Sequence, residues 1–246
     1  MPATSSEYAK PDFRSDVTVD LVRSSAKDSD VLWAARVSTL GEQSLEELQK
    51  DPERSKGLIN YLMRDRHGSP FEHNSMTFFI SAPIFVFREF MRHRVGWSYN
   101  EESGRYRELQ PVFYVPDASR KLVQQGRPGK YVFVEGTEEQ QALVERTMEA
   151  SYVQAYEAYQ EMLAAGVARE VARSVLPVGL FSSMYATCNA RSLMHFLGLR
   201  TQHELAKVPS FPQREIEMVG EKMEQEWARL MPLTYAAFNA NGRVAP

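Results

Sequence analysis

Hydrophobic and polar positions follow two patterns along the chain: short segments with the character of strands, and longer segments with the helical period of three to four residues. VTVDLV at 17–22 alternates and is rich in β-branched side chains, as half-buried strands are. MTFFIS at 76–81, LQPVFYVP at 109–116 and LFSSMYATC at 180–188 are short and rich in aromatic residues, which strands favour. These four segments predict strands.

The longer segments follow the helical period. Between 138 and 165, hydrophobic side chains recur every three or four positions, and Gly166 follows them. Leu58, Tyr61 and Leu62 have the i, i+3, i+4 spacing of a second amphipathic helix. The predicted helices cover 29–38, 53–66, 83–94, 138–165, 168–176, 189–200 and 209–231.

One predicted helix bears directly on the chemistry. Ser81 has the side chain of an N-cap, and Pro83 suits the first turn of the helix that follows. Basic residues at 92–94 suit the helix C-terminus. The segment after Arg94 is therefore predicted to be a loop.

Helices outnumber strands, which predicts an α+β fold with a small central sheet flanked by long helices. Residues 17–246 are predicted to form a single catalytic domain, because a chain of this length can bury one large core. Residues 1–16 are polar and predict a flexible tail, and the turn-rich segment 119–136 receives no assignment.

Composition narrows the possible functions. The 246 residues include 29 basic and 32 acidic side chains, and the formal net charge of −3 does not favour a polymeric nucleic acid as partner. The polar N-terminus predicts no signal peptide, and no apolar run reaches the ~20 residues of a membrane span. With Cys188 as its single cysteine, the chain forms no internal disulfide, and a cytoplasmic location is expected.

Polar chemistry is concentrated at 92–107, which read RHRVGWSYNEESGRYR. Guanidinium groups bind phosphate through paired hydrogen bonds and keep their charge at biological pH. Ser103, Gly104 and Arg105 form a Ser-Gly-Arg sequence whose backbone N–H groups favour an anion nest. A solvated charged loop and an ordinary turn remain alternatives, since most arginines lie on surfaces.

Metal and nucleophile sites have weaker support. His67 and His73 lie too far apart for a helical i, i+4 ligand pair, and no Cys or Asp cluster completes a ligand set, so no metal is expected. Cys188 follows an apolar stretch and is expected to be buried and inert. Ser103 lacks the Gly-x-Ser-x-Gly elbow of a hydrolase.

At Arg-His-Arg followed by SGRY, the chain resembles the flavin-dependent thymidylate synthases. The family signature separates Arg-His-Arg from the serine by seven residues, whereas this chain has eight, so the departure falls within 95–100. Four further segments resemble family motifs in the same order: SPFEH at 69–73, AREVARSVLP at 168–177, NARSLMHFLGLR at 189–200 and PQREI at 212–216.

The resemblance implies a homotetramer with active sites at subunit interfaces and with FAD as cofactor. It implies that dUMP is methylated to dTMP with methylenetetrahydrofolate as one-carbon donor and NADPH as reductant, without a protein nucleophile. Arg200 matches the arginine assigned to activating the uracil ring at N3, and is the implied catalytic residue. Implied flavin contacts are Ser69, Arg92, His93, Arg94, Glu101, Asn189, Arg191 and His195. Implied dUMP contacts are Glu89, Arg92, Glu101, Glu102, Ser103, Gly104, Arg105, Arg173 and Arg200.

Two of these positions depart from the family pattern. Glu89 stands where many members carry Gln, and Glu102 stands where many carry an apolar residue, so Glu102 is expected to contribute its backbone. Two other functions stay open. A cysteine-dependent thymidylate synthase would need Cys188 as nucleophile, and a nucleic-acid-binding module would use the basic 92–107 segment.

Overall fold

A four-stranded sheet unites segments that are far apart in the chain. In the computed structural model, which describes residues 9–41, 52–127 and 130–246, its strands are β2 (Thr18–Ser24), β3 (Met76–Pro83), β4 (Trp97–Glu101) and β8 (Phe181–Cys188), in the order β2-β3-β8-β4. Alternate residues of β3 are buried, as expected of a strand with one face on a core. The α+β class is confirmed.

The chain divides into two units by the density of its contacts. Of the described residues, unit 1 contains 9–17, 81–89 and 101–183, and unit 2 contains 18–80, 90–100 and 184–246. The boundaries fall inside β3 and β8, so both strands contribute to each unit. The single catalytic domain over 17–246 stays a prediction.

Helices supply most of unit 2. They are α1 (Asp28–Leu40), α2 (Pro52–Arg64), α6 (Ala190–Arg200), α7 (Arg214–Leu230) and α8 (Pro232–Ala240). Trp227 and Phe238 are fully buried and meet edge to face at 5.7 Å between ring centroids, which joins α7 to α8. The helix predicted over 53–66 is confirmed as α2; of its predicted apolar positions Leu62 is buried, whereas Tyr61 is exposed.

Unit 1 is organised around the long helix α4 (Glu138–Ala164). Thr137 caps it, with its hydroxyl accepting from the Gln140 N–H at 3.3 Å. Tyr152, Tyr156 and Tyr159 pack inward, and Phe113 stacks on Tyr152 at 4.8 Å. The remaining elements are β1 (Asp12–Arg14), β5 (Val112–Tyr114), β6 (Val123–Arg127), β7 (Lys130–Val134), α3 (Ile84–Phe90) and α5 (Arg169–Ala172), with a 3-10 turn at Arg173–Val175.

Two segments of unit 1 gain structure from strand pairing. β1 pairs in parallel with β5 in the register Asp12↔Val112, so part of the predicted tail is a strand; residues 1–8 of that tail lie outside the described residues. β6 and β7 form an antiparallel pair within the segment that received no assignment.

Ser81 and Pro83 do not begin a helix, and that prediction was wrong. β3 continues through Pro83, and the N–H groups of the next two residues donate to the Leu180 and Val178 carbonyls at 2.9 and 3.0 Å. Since those carbonyls already accept the first donors of α3, no side-chain cap is required there.

Three other predicted boundaries were also wrong. α3 ends at Phe90, four residues before Arg94, and the loop predicted after it contains β4. α7 begins at Arg214 rather than at 209. Pro232 then starts α8, which the sequence did not predict. No described helix is both long and apolar enough to cross a membrane.

Candidate functional site

The first turn of α6 carries two of the predicted flavin contacts. Asn189 caps the helix, and its Oδ1 accepts from the Ser192 N–H at 2.9 Å. Asn74 accepts from the Ala190 N–H at 2.8 Å, so two helix N–H groups have side-chain acceptors. These bonds fix the backbone on either side of Arg191.

Arg191 lies against the turn that contains Ser69. Its Nη1 is 2.5 Å from Oε1 of Glu72, and its Nε donates to the Pro246 carbonyl at 2.7 Å. A Cβ at Gly68 would lie 2.4 Å from Cζ of Arg191, so the guanidinium packs directly on the glycine backbone. The structure thus brings Ser69 and Arg191 together.

The Arg-His-Arg segment forms a turn after α3. The His93 N–H donates to the Phe90 carbonyl at 2.8 Å. The Tyr99 hydroxyl lies 3.1 Å from the Phe90 carbonyl and 2.9 Å from the His93 carbonyl, and can donate to either. Burial raises the pKa of Tyr99, so the hydroxyl keeps its proton. Arg92 and Arg94 are exposed on this turn.

A tight turn at Val95 and Gly96 joins this segment to β4. The Ser192 hydroxyl donates to the Val95 carbonyl at 2.9 Å. Gly96 has φ +69°, and a Cβ there would lie 2.1 Å from Oγ of Ser192. Only glycine meets both conditions without strain. The stretch where the signature is one residue longer is therefore packed closely on α6.

His93 and Arg200 form a direct pair. Nε of Arg200 donates to Nε2 of His93 at 3.1 Å, and the His93 ring meets Phe196 edge-on at 4.9 Å. Burial lowers the pKa of His93 to about 4, with further lowering from the positive charge of Arg200. Desolvation also lowers the pKa of His195, which lies on α6 with Arg200. His93 is therefore a neutral acceptor at pH 7.

In unit 1, two adjacent acidic residues meet the serines of β8. Desolvation raises the pKa of Glu101, opposed by a hydrogen bond from Ser182. The Glu102 N–H donates to the Ser183 carbonyl at 2.8 Å, while the Glu102 carboxylate accepts from the Ser183 hydroxyl at 3.3 Å and pairs with Nε of Arg107 at 3.0 Å. The Glu102 side chain is thus engaged within the protein as well as its backbone.

Ser103 begins a turn with unused amide donors. Its carbonyl accepts from the N–H groups of Tyr106 and Arg107 at 3.0 and 3.2 Å, and its hydroxyl accepts from the Arg105 N–H at 3.3 Å. Within the described residues, the N–H groups of Ser103 and Gly104 donate to no protein acceptor. This geometry suits an anion.

Two arginines flank this turn. A Cβ at Gly104 would lie 3.1 Å from Cδ of Arg173, so the Arg173 stem packs on the glycine. Nε of Arg105 pairs with Glu170 at 3.0 Å, with both side chains more than half exposed. The structure therefore gathers Gly104, Arg105 and Arg173 in one place. Glu89 lies half-buried near the end of α3.

Sequence reasoning missed several supporting residues. Tyr99, Ser192 and Glu170 hold predicted site residues and lie within segments that the sequence analysis singled out, but none of them was assigned a contact. Only Glu170 had a usable signal, because it lies one turn before Arg173 on the same short segment.

The nucleophile and metal alternatives gain no support. Cys188 is 2% exposed, and burial raises the pKa of its thiol. A buried, protonated thiol is a poor nucleophile. Among residues 9–41, 52–127 and 130–246, no three His, Cys, Asp or Glu side chains are grouped to hold a metal ion.

Comparisons with known proteins identify close relatives. A family model described as "Thymidylate synthase complementing protein" matches residues 20–233. A protein of Streptomyces avermitilis named flavin-dependent thymidylate synthase is 87% identical over 246 residues, which is 100% of both chains. A protein of Streptomyces coelicolor with the same name is 87% identical over 237 residues, or 96% of each.

Two solved structures of one enzyme are similar to this chain in both fold and sequence. The UMP/dUMP methylase PolB from Streptomyces cacaoi bound with 5-Br UMP has a TM-score of 0.88 at 56% identity, covering 96% of this chain and 100% of that one. The same enzyme bound with 5-Br dUMP has a TM-score of 0.89 at 58% identity, with coverages of 95% and 99%.

Proposed function

Because this chain belongs to the flavin-dependent thymidylate synthase family, we propose that it methylates dUMP to dTMP with FAD as its cofactor. In the proposed reaction, methylenetetrahydrofolate supplies the one-carbon unit and NADPH supplies the reducing equivalents. When bound, the flavin provides redox capacity that no amino-acid side chain has.

The observation that carries this proposal is the pair formed by His93 and Arg200. Substitution at C5 of uracil requires negative charge to be stabilised on the ring, and a fixed guanidinium supplies that stabilisation. Neutral His93 accepts from Nε of Arg200. The Arg200 guanidinium supplies the positive charge that we propose acts at N3 and O4 of the uracil. We therefore assign Arg200 as the catalytic residue and His93 as the residue that orients it.

The turn at Ser103 supports binding of the nucleotide phosphate. Its two unused amides, with Arg105 and Arg173 beside them, offer neutral and charged donors to one anion. Arg105 pairs with Glu170 only at the surface, where such pairs contribute little, so a phosphate can compete for it. The proposed dUMP contacts also include Glu89, Arg92, Glu101, Glu102 and Arg200.

The residues around α6 fit FAD by the chemistry of their donors. Arg92 and Arg94 are exposed cations suited to a pyrophosphate, and Ser69 is an exposed hydroxyl near the Arg191 guanidinium. We propose that these residues hold the flavin together with His93, Glu101, Asn189 and His195.

The remaining parts of the proposal concern assembly and mechanism. We propose a cytoplasmic homotetramer with active sites at subunit interfaces, and a reaction that uses no protein nucleophile. The burial and raised thiol pKa of Cys188 support the second point.

The test combines a spectrum with product analysis. Purified protein reconstituted with FAD should show an oxidised-flavin spectrum that NADPH bleaches. It should form dTMP only when dUMP and methylenetetrahydrofolate are both present. UMP should be assayed in parallel, because PolB is described as a methylase of both UMP and dUMP. A protein that binds no FAD and makes no dTMP would refute the proposal.

A further inference from the structure

The end of α6 is fixed by the residue that follows Arg200. Thr201 is 4% exposed, and its N–H and hydroxyl both donate to the Leu197 carbonyl, at 3.0 and 2.8 Å. Its own carbonyl accepts from the Ser210 hydroxyl at 2.5 Å. Thr201 therefore closes the last turn, from which Arg200 projects.

A buried ion pair meets the same threonine. The Arg243 side chain is 1% exposed and binds Glu224 through two contacts, at 2.5 and 2.8 Å. Its Nη1 also donates to Oδ1 of Asn239 at 2.8 Å, and its Nη2 to Oγ1 of Thr201 at 3.1 Å. The threonine hydroxyl thus has both its donor and its acceptor engaged.

The backbone around this pair is closely packed. A Cβ at Gly198 would lie 3.0 Å from the Arg243 carbonyl, and one at Gly220 would lie 2.7 Å from Cγ2 of Thr201. Arg243 itself has φ +55°, a conformation that costs energy for a residue other than glycine. The surrounding contacts hold it there, which leaves α6 little freedom to shift.

We propose that Thr201 and the buried Arg243–Glu224 pair position Arg200 for its role in the reaction. The proposal rests on the proposed function for what Arg200 does, but not for how Arg200 is held. A paired and fully hydrogen-bonded buried charge has few alternative arrangements, so it fixes the helix end more rigidly than apolar packing. Catalysis is sensitive to displacements of about 1 Å in such a group. Thr201, Arg243 and Glu224 are positioning residues, since none of them is assigned a contact with substrate or flavin.

The test variant is Thr201→Val, which removes the hydroxyl contacts at nearly constant shape and leaves the ion pair intact. Two measurements report whether Arg200 keeps its position. The first is the pKa of His93, measured by NMR on protein labelled at histidine Cε1. Burial is the main cause of the low His93 pKa and the Arg200 charge is the next, so displacement of Arg200 should raise that pKa part of the way from about 4 toward 6.5. The second is dUMP affinity by calorimetry on the FAD-loaded protein, where Kd should rise about three- to tenfold, as loss of one oriented hydrogen bond predicts.

Thr234→Val is the matched control. Thr234 is fully buried, and its hydroxyl donates to Oδ1 of Asp28 at 2.6 Å. This variant should lose stability while leaving the His93 pKa and the dUMP Kd unchanged. Equal changes in both variants would show a general loss of structure and overturn the proposal.

Two other results would also overturn it. One is an unchanged His93 pKa in Thr201→Val, and the other is an unchanged dUMP Kd despite a raised pKa. A further cycle repeats the calorimetry in an Arg200→Ala background, where Thr201→Val should change Kd less than about twofold because its effect acts through Arg200. If the unmodified protein binds no dUMP, the proposed function fails. The change in His93 pKa between Thr201→Val and the unmodified protein would still decide whether Thr201 holds Arg200 in place.

Discussion

Arg200 donates a hydrogen bond to His93 over 3.1 Å, joining residues 107 positions apart in the chain. The bond requires an unprotonated Nε2, and the lowered pKa of His93 provides one at neutral pH. The same low pKa depends partly on the charge of Arg200. Each side chain therefore sets the state of the other.

Replacing Arg200 with Ala should reduce kcat for dTMP formation by about 10²- to 10³-fold, since it removes the charge proposed to stabilise the activated uracil. The measurement is initial rate at saturating dUMP. Arg229→Ala is the control, because Arg229 forms an exposed pair with Glu226 at 2.6 Å on α7. Full activity in Arg200→Ala would show that the assignment of Arg200 is wrong.

His93 should contribute to the pH dependence of stability. Its pKa is lower in the folded protein than the ordinary 6.5, so the unfolded chain binds more protons between about pH 4 and 6.5. The free energy of unfolding should therefore fall as pH falls through that window. The slope is at most about 1.4 kcal/mol per pH unit for one proton, and solvent reduces it for a half-buried ring.

His93→Gln tests this slope, because glutamine keeps an acceptor for Arg200 but does not titrate. Urea unfolding from pH 4.5 to 7 should show a shallower slope in the variant. His195, whose pKa is also lowered, is present in both proteins and cancels from the comparison. Identical slopes would contradict a lowered His93 pKa.

Tyr99→Phe should loosen the Arg-His-Arg turn, because it removes the hydroxyl shared by the Phe90 and His93 carbonyls. We expect a loss of about 1 kcal/mol in unfolding free energy, measured by urea titration, and weaker FAD binding, measured by flavin fluorescence. Tyr185→Phe is the control, since Tyr185 is 51% exposed on β8. An unchanged FAD affinity in Tyr99→Phe would show that the geometry of this turn does not contribute to flavin binding.

Gly96→Ala should destabilise the protein more than Gly166→Ala. Both glycines have positive φ, at +69° and +82°, but a Cβ at Gly96 meets Ser192 at 2.1 Å whereas one at Gly166 meets nothing within 4 Å. Backbone strain of about 1 kcal/mol is common to both, so the difference reports the clash. Equal losses in urea unfolding would mean that the turn can move away from α6.

Cys188→Ala should retain turnover, because the thiol is buried and protonated at neutral pH. A loss of about 1 kcal/mol in stability is expected for a small buried substitution. Circular dichroism and the dTMP assay together decide the outcome. A folded variant without activity would restore the cysteine-dependent mechanism.

Local signals in the sequence predicted the elements that depend on local contacts. The helix at Glu138–Ala164 has its cap at Thr137, its period and its terminal glycine all within one segment. By contrast, the Phe90 carbonyl at the end of α3 is contacted by the hydroxyl of Tyr99, nine residues later. β1 exists only through its pairing with β5. Contacts of this kind leave no local pattern.

The site shows the same division. The resemblance supplied Arg191 and Arg200 as site residues, and their positions on one helix followed from periodicity. Glu72 lies within the SPFEH motif, but its pairing with Arg191 across 119 positions was not predicted, nor was the contact of Arg243 with Thr201 across 42. Partners so distant in sequence become neighbours only after folding.

The interval between Arg-His-Arg and Ser103 acts as a spacer of fixed length. Deleting one residue from β4 would reverse which of its side chains share a face, and would separate Trp97 from Tyr99, whose rings stack at 5.7 Å. Deleting Gly96 would instead remove the turn that packs on Ser192. A chimera carrying the shorter interval of another family member should therefore also carry that member's first turn of α6.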